Sequence, residues 1–223
     1  MKVVVAGCSI SDYTHVDEVY GELYAKKLGA EYIHLGAGCG SNFRMWRKLG
    51  QLIMSGTVTS KDIVIMQPTQ IHRREYFSPF TEGDEPLFGS NGKSLLNEKY
   101  NSEGSIIRYK PNAHKDVLAN HPTEAKFAQL RDHFVDPDFE KEVFRNQMDM
   151  FQGLCTAKDI NLWIIDIGYT ENLIDYVWHK GKVVPMRWIR LRHPLMDPRH
   201  GRDDGHFSQE GHHVAADTLL NTI

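Results

Sequence analysis

Two short blocks near the ends of the chain carry side chains that could act together as a nucleophile and a base. Ser9 closes the block GCS at 7–9, directly after an apolar run, and Asp203 precedes His206 by three residues. A carboxylate at that spacing can hold an imidazole in one orientation, and the imidazole can then take a proton from a serine hydroxyl. Taken singly, each block also fits a polar turn that ends a strand or caps a helix.

Alternating strand and helix patterns predict that both blocks lie at one edge of a sheet. Four short apolar runs predict buried parallel strands, and amphipathic segments between them predict helices. This alternation predicts an α/β fold, a three-layer α/β/α sandwich with a mostly parallel central sheet, whose site lies at the carboxyl ends of the strands. The predicted strands are 3–6, 32–35, 62–66 and 161–167, and the predicted helices are 17–28, 42–55, 123–134, 137–156 and 209–220.

Residues 77–122 interrupt the alternation. They are rich in Gly, Ser, Asn and Pro and contain only short apolar patches. Loops of that length are unusual in a compact domain unless they serve a function. We therefore expect one domain over residues 1–223 with a long insertion at about 77–122, which could hold a small hairpin.

Composition excludes several classes of partner and location. The chain has 26 Lys and Arg against 29 Asp and Glu, so no basic surface for nucleic acid is expected. No apolar run approaches the roughly 18 residues of a membrane span, and the first apolar run is too short for a signal peptide. Three widely spaced cysteines fit a reducing compartment. We expect a cytoplasmic protein, and the sequence does not specify its oligomeric state.

The two end blocks resemble those of the SGNH, or GDSL-type, hydrolases. In that family a serine follows the first strand in a Gly-Asp-Ser-like block, and an Asp-x-x-His block precedes the last helix. The segment GCS at 7–9 matches the first block with cysteine at the aspartate position, and DDGH at 203–206 matches the second. The resemblance implies a flavodoxin-like fold with Ser9 as nucleophile, His206 as base and Asp203 as the residue that orients the base.

The family also places a glycine after its second strand and an asparagine after its third, both serving an oxyanion hole. After the second predicted strand this chain reads GAGCGSN at 36–42, which implies Gly38 or Gly40 as a backbone donor and Asn42 as a side-chain donor. A helix beginning there would add a favourable field for negative charge. The glycines equally fit a plain strand-to-helix turn that needs close packing.

The family's Gly-x-Asn-Asp block is absent after the third predicted strand, where 67–73 reads QPTQIHR. Gln67, Thr69 or Gln70 could replace the asparagine. Thr69 is preferred because the segment resembles a divergent branch of the family with a threonine and a downstream arginine here. Arg73 could pair with a carboxylate or phosphate of the substrate, or hold the insertion through an ordinary ion pair.

Thiol and metal chemistry are the less favoured alternatives. Cys8 could supply a thiolate nucleophile, but the residue before the nucleophile packs inward in this family, and free cysteine behaves as a small buried apolar residue. Five histidines crowd residues 193–213 without a spacing typical of zinc sites. We therefore expect neither a metal nor another cofactor.

Together these features predict a serine esterase that removes a short acyl group, such as acetyl, from a carbohydrate or other polar alcohol through an acyl-enzyme. The substrate class follows from the family and from the polar composition of 77–122, and a small-molecule or glycan ester is the expected partner. Two alternatives stay open. One is an O-acyltransferase with the same triad, and the other is a non-catalytic carbohydrate-binding protein on the same fold.

Overall fold

Strands and helices alternate along the residues that the computed structural model describes. These are 1–13, 16–37, 41–69, 71, 74–78, 99–100, 104–109, 137–167, 182–186 and 206–223. In chain order the elements are β1 Lys2–Ala6, a 3-10 turn Ser9–Ser11, α1 Tyr20–Leu28, β2 Glu31–His34, α2 Asn42–Met54, β3 Ile63–Met66, β4 Arg74–Ser78, β5 Lys99–Tyr100, β6 Gly104–Tyr109, α3 Pro137–Ala157, β7 Asn161–Asp166, β8 Lys182–Pro185 and α4 Gln209–Thr222.

Five strands form a parallel sheet in the order β2-β1-β3-β7-β8. Val4 pairs with Ile33 on one side and with Val64 on the other. The four residues of β3 are all buried, as are the last four of β1, because helices cover both faces of the sheet. Counted along the chain, this order is 2-1-3-4-5, the flavodoxin-like arrangement, so the predicted three-layer fold is confirmed.

The four helices of the described residues pack in two pairs, one on each face of the sheet. α1 contacts α4, and α2 contacts α3. Between α2 and α3, the Nε1–H of Trp46 donates to the Sδ of Met148 at 2.9 Å, and Trp46 also contacts the ring of Phe144. The connection from β1 to β2 runs across the sheet in the opposite direction to that from β2 to β3, so the right-handed crossovers usual for parallel strands place α1 and α2 on opposite faces.

Local signals set most helix ends where the sequence predicts them. The Ser41 hydroxyl accepts from the Arg44 N–H at the start of α2, and the Ser208 hydroxyl accepts from the Gly211 N–H at the start of α4. Gly29 ends α1 in the left-handed conformation, with φ of 62°. The predicted helices 42–55, 137–156 and 209–220 are found within one or two residues of those bounds.

The structure differs from the prediction in two places. α1 begins at Tyr20 and not at Asp17, and the backbone N–H groups of Asp17 and Glu18 donate to a side chain from α4. The edge strand β8 was not predicted, since KVVP offers only two adjacent apolar residues before a proline. The predicted helix 123–134 lies outside the described residues.

Three short strands occupy part of the region 74–109. They form an antiparallel sheet in the order β4-β6-β5, in which Tyr76 pairs with Ile107. This is one strand more than the small hairpin that the sequence allowed, and the rest of the predicted insertion at 77–122 lies outside the described residues. Within the described ranges, no helix combines the length and the apolar character that a bilayer crossing requires.

Candidate active site

A serine and a histidine from opposite ends of the chain meet beside the carboxyl end of β1. The Oγ of Ser9 lies 2.7 Å from the Nε2 of His206, although the two residues are 197 positions apart. Both side chains are partly exposed, so a ligand can approach the pair. A hydroxyl within hydrogen-bond reach of an imidazole can be activated as a nucleophile.

The close packing of a glycine against Ser11 shapes the turn that presents Ser9. A Cβ added to Gly7 would lie 2.1 Å from the Oγ of Ser11, a distance that no folded protein tolerates without movement. On the other side of the turn, a Cβ added to Gly36 would lie 2.2 Å from the Ser11 carbonyl oxygen. These close approaches require residues without side chains, and they fix the path of the chain through Ser9.

The buried side chains of Ser11, Tyr20 and Gln67 hold the same turn through hydrogen bonds. The Ser11 hydroxyl donates to the Oε1 of Gln67 at 2.7 Å, and it lies 2.7 Å from the Tyr20 hydroxyl. The Nε2 of Gln67 donates to the Sγ of Cys8 at 3.3 Å. Gln67 is therefore committed to holding the turn, which argues against its use as an oxyanion donor. Cys8 is fully buried, which agrees with the packing expected for that position.

The start of α2 and the loop after β3 hold each other through a reciprocal amide pair. The Nδ2 of Asn42 donates to the Thr69 carbonyl oxygen at 2.9 Å, and the Thr69 N–H donates to the Oδ1 of Asn42 at 2.9 Å. Asn42 is 2% exposed and Thr69 is fully buried. The asparagine amide thus positions the Thr69 backbone, and only the second Nδ2 proton stays outside this pair.

The side-chain hydroxyl of Thr69 lacks the hydrogen bonding that its backbone N–H and carbonyl have. Among the described residues, its Oγ1 is buried and has no hydrogen-bond partner. A buried hydroxyl without a partner is uncommon, because it has lost its hydrogen bonds to water without replacing them. The Thr69 hydroxyl therefore has a hydrogen bond left to make.

Other residues predicted for this site lie outside the described part of the chain. They are Gly38, Gly40, Gln70, Arg73 and Asp203. Their roles stay predictions. Of the predicted site residues that the structure describes, it joins Ser9 to His206 and Asn42 to Thr69.

An imidazole–carboxylate pair that the sequence analysis did not predict lies next to the turn of Ser9. The Nε2 of His34 lies 3.3 Å from the Oδ1 of Asp12, and the Nδ1 of His34 lies 3.2 Å from the Tyr32 hydroxyl. Tyr13 sets its ring edge-on to His34, with centroids 4.8 Å apart. Asp12 follows the turn Ser9–Ser11 and His34 is the last residue of β2, so their signal in the sequence was their place near the carboxyl ends of β1 and β2.

Metal ligation finds no support in the described residues. Within the ranges that the structure covers, no three His, Cys, Asp or Glu side chains group in a way that could hold a metal ion. His193 and His200, two of the five histidines noted in the sequence, lie outside those ranges.

Comparison with known proteins gives matches in structure alone. No family model matches the chain, and no curated protein matches it in sequence. Its fold is similar to a member of the lipolytic protein G-D-S-L family from Veillonella parvula, with a TM-score of 0.51 and 10% identity over 100% of this chain and 98% of that one. It is similar to a GDSL-like lipase from Bacteroides thetaiotaomicron, with a TM-score of 0.50 and 9% identity over 99% and 86%.

A further similar structure is the psychrotrophic esterase EstA from a Pseudoalteromonas species, inhibited by monoethylphosphonate. The TM-score is 0.50 at 8% identity, over 99% of this chain and 95% of the esterase. At such identities the likeness shows that the chain shares the three-layer fold of these proteins.

Proposed function

We propose that this protein is a serine hydrolase that cleaves a short-chain acyl ester through a covalent acyl-enzyme. The observation that carries the proposal is the 2.7 Å separation between the Ser9 Oγ and the His206 Nε2. A general base must lie within about 2.6–3.2 Å of the group whose proton it takes. The pair also lies beside the end of β1, at the edge of a parallel sheet where α/β proteins bind their ligands.

In the proposed reaction, the Ser9 Oγ forms a bond to the acyl carbonyl carbon while its proton moves to the His206 Nε2. That proton passes to the leaving alcohol as the ester C–O bond breaks. A water molecule, deprotonated by His206, then attacks the acyl-enzyme, and the carboxylic acid leaves as the proton returns to Ser9. Asp203, which lies outside the described residues, is proposed to orient the imidazole and to stabilise its charged form.

The proposed oxyanion hole combines backbone and side-chain donors. Ser9 opens a 3-10 turn, and the first N–H groups of a helical turn have no acceptor within it. Gly38 or Gly40 is proposed as the second backbone donor. The buried, unpartnered Thr69 hydroxyl supports Thr69 as the third donor, and the second amide proton of Asn42 could add to it. Each donor would lower the barrier by roughly 3 kcal/mol.

The fold similarities favour ester chemistry over other uses of a serine and a histidine. Proteins that share this fold include a GDSL-like lipase and an esterase inhibited by monoethylphosphonate. A phosphonate mimics the tetrahedral state of an acyl group under attack, so it is the natural probe for the proposed nucleophile.

The proposed substrate is a small acyl ester, such as acetyl, of a carbohydrate or another polar alcohol. The polar composition of 77–122 supports a hydrophilic alcohol portion. Arg73 is proposed to pair with a carboxylate or phosphate where the substrate carries one. Transfer of the acyl group to a sugar hydroxyl in place of water would use the same residues.

The proposal is tested with a fluorophosphonate probe and with p-nitrophenyl acetate. We expect the wild-type protein to be labelled at Ser9, as located by mass spectrometry of peptides, and to hydrolyse the ester. Ser9→Ala should lose both properties and keep its melting temperature, whereas Ser55→Ala, an exposed serine at the end of α2, should keep them.

Two results would contradict the assignment. Turnover at the wild-type rate in Ser9→Ala would remove Ser9 from the mechanism, and labelling at Cys8 would make the thiol the nucleophile. An unlabelled wild-type protein that binds sugars would favour the non-catalytic alternative.

A further inference from the structure

The first turn of α4 is tied to the start of α1 by two side chains. The Oε1 of Gln209 accepts from the N–H groups of Asp17 and Glu18 at 3.1 and 3.2 Å, and its Nε2 donates to the Glu18 carbonyl oxygen at 2.9 Å. The Nδ1 of His212 accepts from the Tyr20 N–H at 3.1 Å. The N-cap residue of α1, Val19, has no side chain that could make these bonds. His212 therefore satisfies the first N–H of α1, and Gln209 holds the two residues before the N-cap.

His212 lies between Tyr20 and the residue that follows the candidate base. Its ring stacks on Tyr20 with centroids 5.9 Å apart at 11°, and the ring of Phe207 meets it edge-on with centroids 5.5 Å apart. His212, Tyr20 and Phe207 are 2%, 1% and 1% exposed. Since Nδ1 accepts a hydrogen bond, the neutral ring carries its proton on Nε2. Burial first, and then the neighbouring His206 and His213, lower the pKa of His212 to about 3.

The other end of Tyr20 reaches the turn that carries the candidate nucleophile. Ser11 gives its single hydroxyl proton to Gln67, so the Tyr20 hydroxyl must donate to the Ser11 oxygen at 2.7 Å. Ser11 is the last residue of the turn that Ser9 begins. A continuous series of buried contacts therefore leads from Phe207 through His212 and Tyr20 to the turn of Ser9.

We propose that His212 and Tyr20 form a positioning brace, which sets the distance between the His206 imidazole and the Ser9 hydroxyl. This inference rests on the proposed function. The two residues act through the segments that carry the pair. Each is joined to one of the two segments that carry the pair, and the two rings are joined to each other. Errors of about 1 Å in such a geometry can lower a rate by on the order of a hundredfold, so a brace of this kind controls rate more than binding.

The test compares two substitutions of the same histidine. His212→Asn keeps an acceptor close to the position of Nδ1, whereas His212→Leu keeps much of the volume and has no acceptor. The rate of Ser9 phosphonylation by a fluorophosphonate is measured with kcat and KM for p-nitrophenyl acetate, well below the melting temperature. We expect His212→Leu to lose at least about tenfold in labelling rate and kcat with KM nearly unchanged, and His212→Asn to recover most of the loss.

Leu219→Val serves as the matched control, since Leu219 is fully buried on the same helix, seven residues beyond His212. It should lower the melting temperature and leave the labelling rate of the folded protein intact. If His212→Leu does not fold, Tyr20→Phe replaces it, because this variant keeps the ring and loses only the hydrogen bond to Ser11. We expect Tyr20→Phe to lower the labelling rate with KM unchanged.

The outcomes separate the brace from the proposed function. A wild-type protein that is neither labelled nor active rejects the serine hydrolase and the brace with it. A labelled wild-type protein with equal rates in His212→Leu, or in Tyr20→Phe where that variant replaces it, overturns the brace alone. Equal losses in His212→Leu and His212→Asn overturn it as well, because the acceptor would then make no difference.

Discussion

Asn42 and Thr69 hold each other through two hydrogen bonds of 2.9 Å, one in each direction between the asparagine amide and the threonine backbone. The pair joins the start of α2 to the loop after β3, and both residues are buried. Through it, the loop that carries Thr69 is held against the first turn of α2. The geometry of any oxyanion hole built from these two segments depends on this pair.

Asn42→Ala should therefore destabilise the protein and reduce its activity together. The substitution leaves a buried N–H and a buried carbonyl of Thr69 without partners, at a cost of about 1–3 kcal/mol. Denaturant unfolding measures the free energy, and ester turnover measures the activity. Ser55→Ala, which loses only exposed hydrogen bonds, should stay within about 0.5 kcal/mol of the wild type. A wild-type unfolding free energy in Asn42→Ala would contradict the role given to the pair.

Thr69→Val should change stability and activity in opposite senses. Among the described residues the Thr69 hydroxyl is buried without a partner, so its removal should leave the unfolding free energy unchanged or raise it. If the hydroxyl donates to the oxyanion, kcat should fall by about 10²–10³ with little change in KM. Thr69→Ser keeps the donor and should retain most of kcat. Wild-type kcat in Thr69→Val would exclude the hydroxyl from the oxyanion hole.

Gly7→Ala should disturb the Ser9 turn. The new Cβ would lie 2.1 Å from the Ser11 Oγ and 2.7 Å from its Cβ, so Ser11 and the turn must move. We expect a loss of about 1–3 kcal/mol in the unfolding free energy and a slower labelling of Ser9. Gly50, inside α2, has nothing within 4 Å of an added Cβ. Gly50→Ala should thus stabilise the protein by about 0.5–1 kcal/mol, and destabilisation of both variants alike would contradict the steric explanation.

The buried imidazole of His212 should make stability depend on pH. Burial first, and then the nearby titratable groups His206 and His213, lower its pKa from 6.5 to about 3, and Tyr20 stacks against its ring. Between those values the unfolded chain binds a proton that the folded chain does not. The contribution of His212 to stability is therefore complete above pH 6.5 and falls with pH by up to about 1.4 kcal/mol per unit.

His212→Asn isolates this effect because asparagine does not titrate. Denaturant unfolding of both proteins at several pH values from about 7 down to about 5 should show the wild type losing stability faster than the variant. The contributions of the other histidines to the pH dependence cancel in the difference between the two free energies of unfolding. A difference that does not vary with pH would mean that His212 titrates alike in the folded and unfolded chains.

The parallel sheet was largely predictable because its central strands are buried on both faces. The run DIVIM predicted β3 and NLWIID lies within the run that predicted β7, since strands covered by helices on both sides need continuous apolar residues. The edge strand β8 was missed because KVVP carries too short an apolar run. β8 pairs in parallel with β7, and this pairing extends a sheet that the central strands have already formed.

By itself, the sequence determined the residue types of the candidate site and the local stops and caps around it. Ser41, Ser208 and Gly29 act on backbone groups within a few positions, so their effects can be read from spacing. Only the tertiary structure decided which side chains meet. The Ser9–His206 contact, the Asn42–Thr69 pair and the hydrogen bond from Asp17 to Gln209 join residues 197, 27 and 192 positions apart. Hydrogen bonds over such separations form only once the sheet has brought the segments together, because no local pattern specifies the partner of a polar side chain.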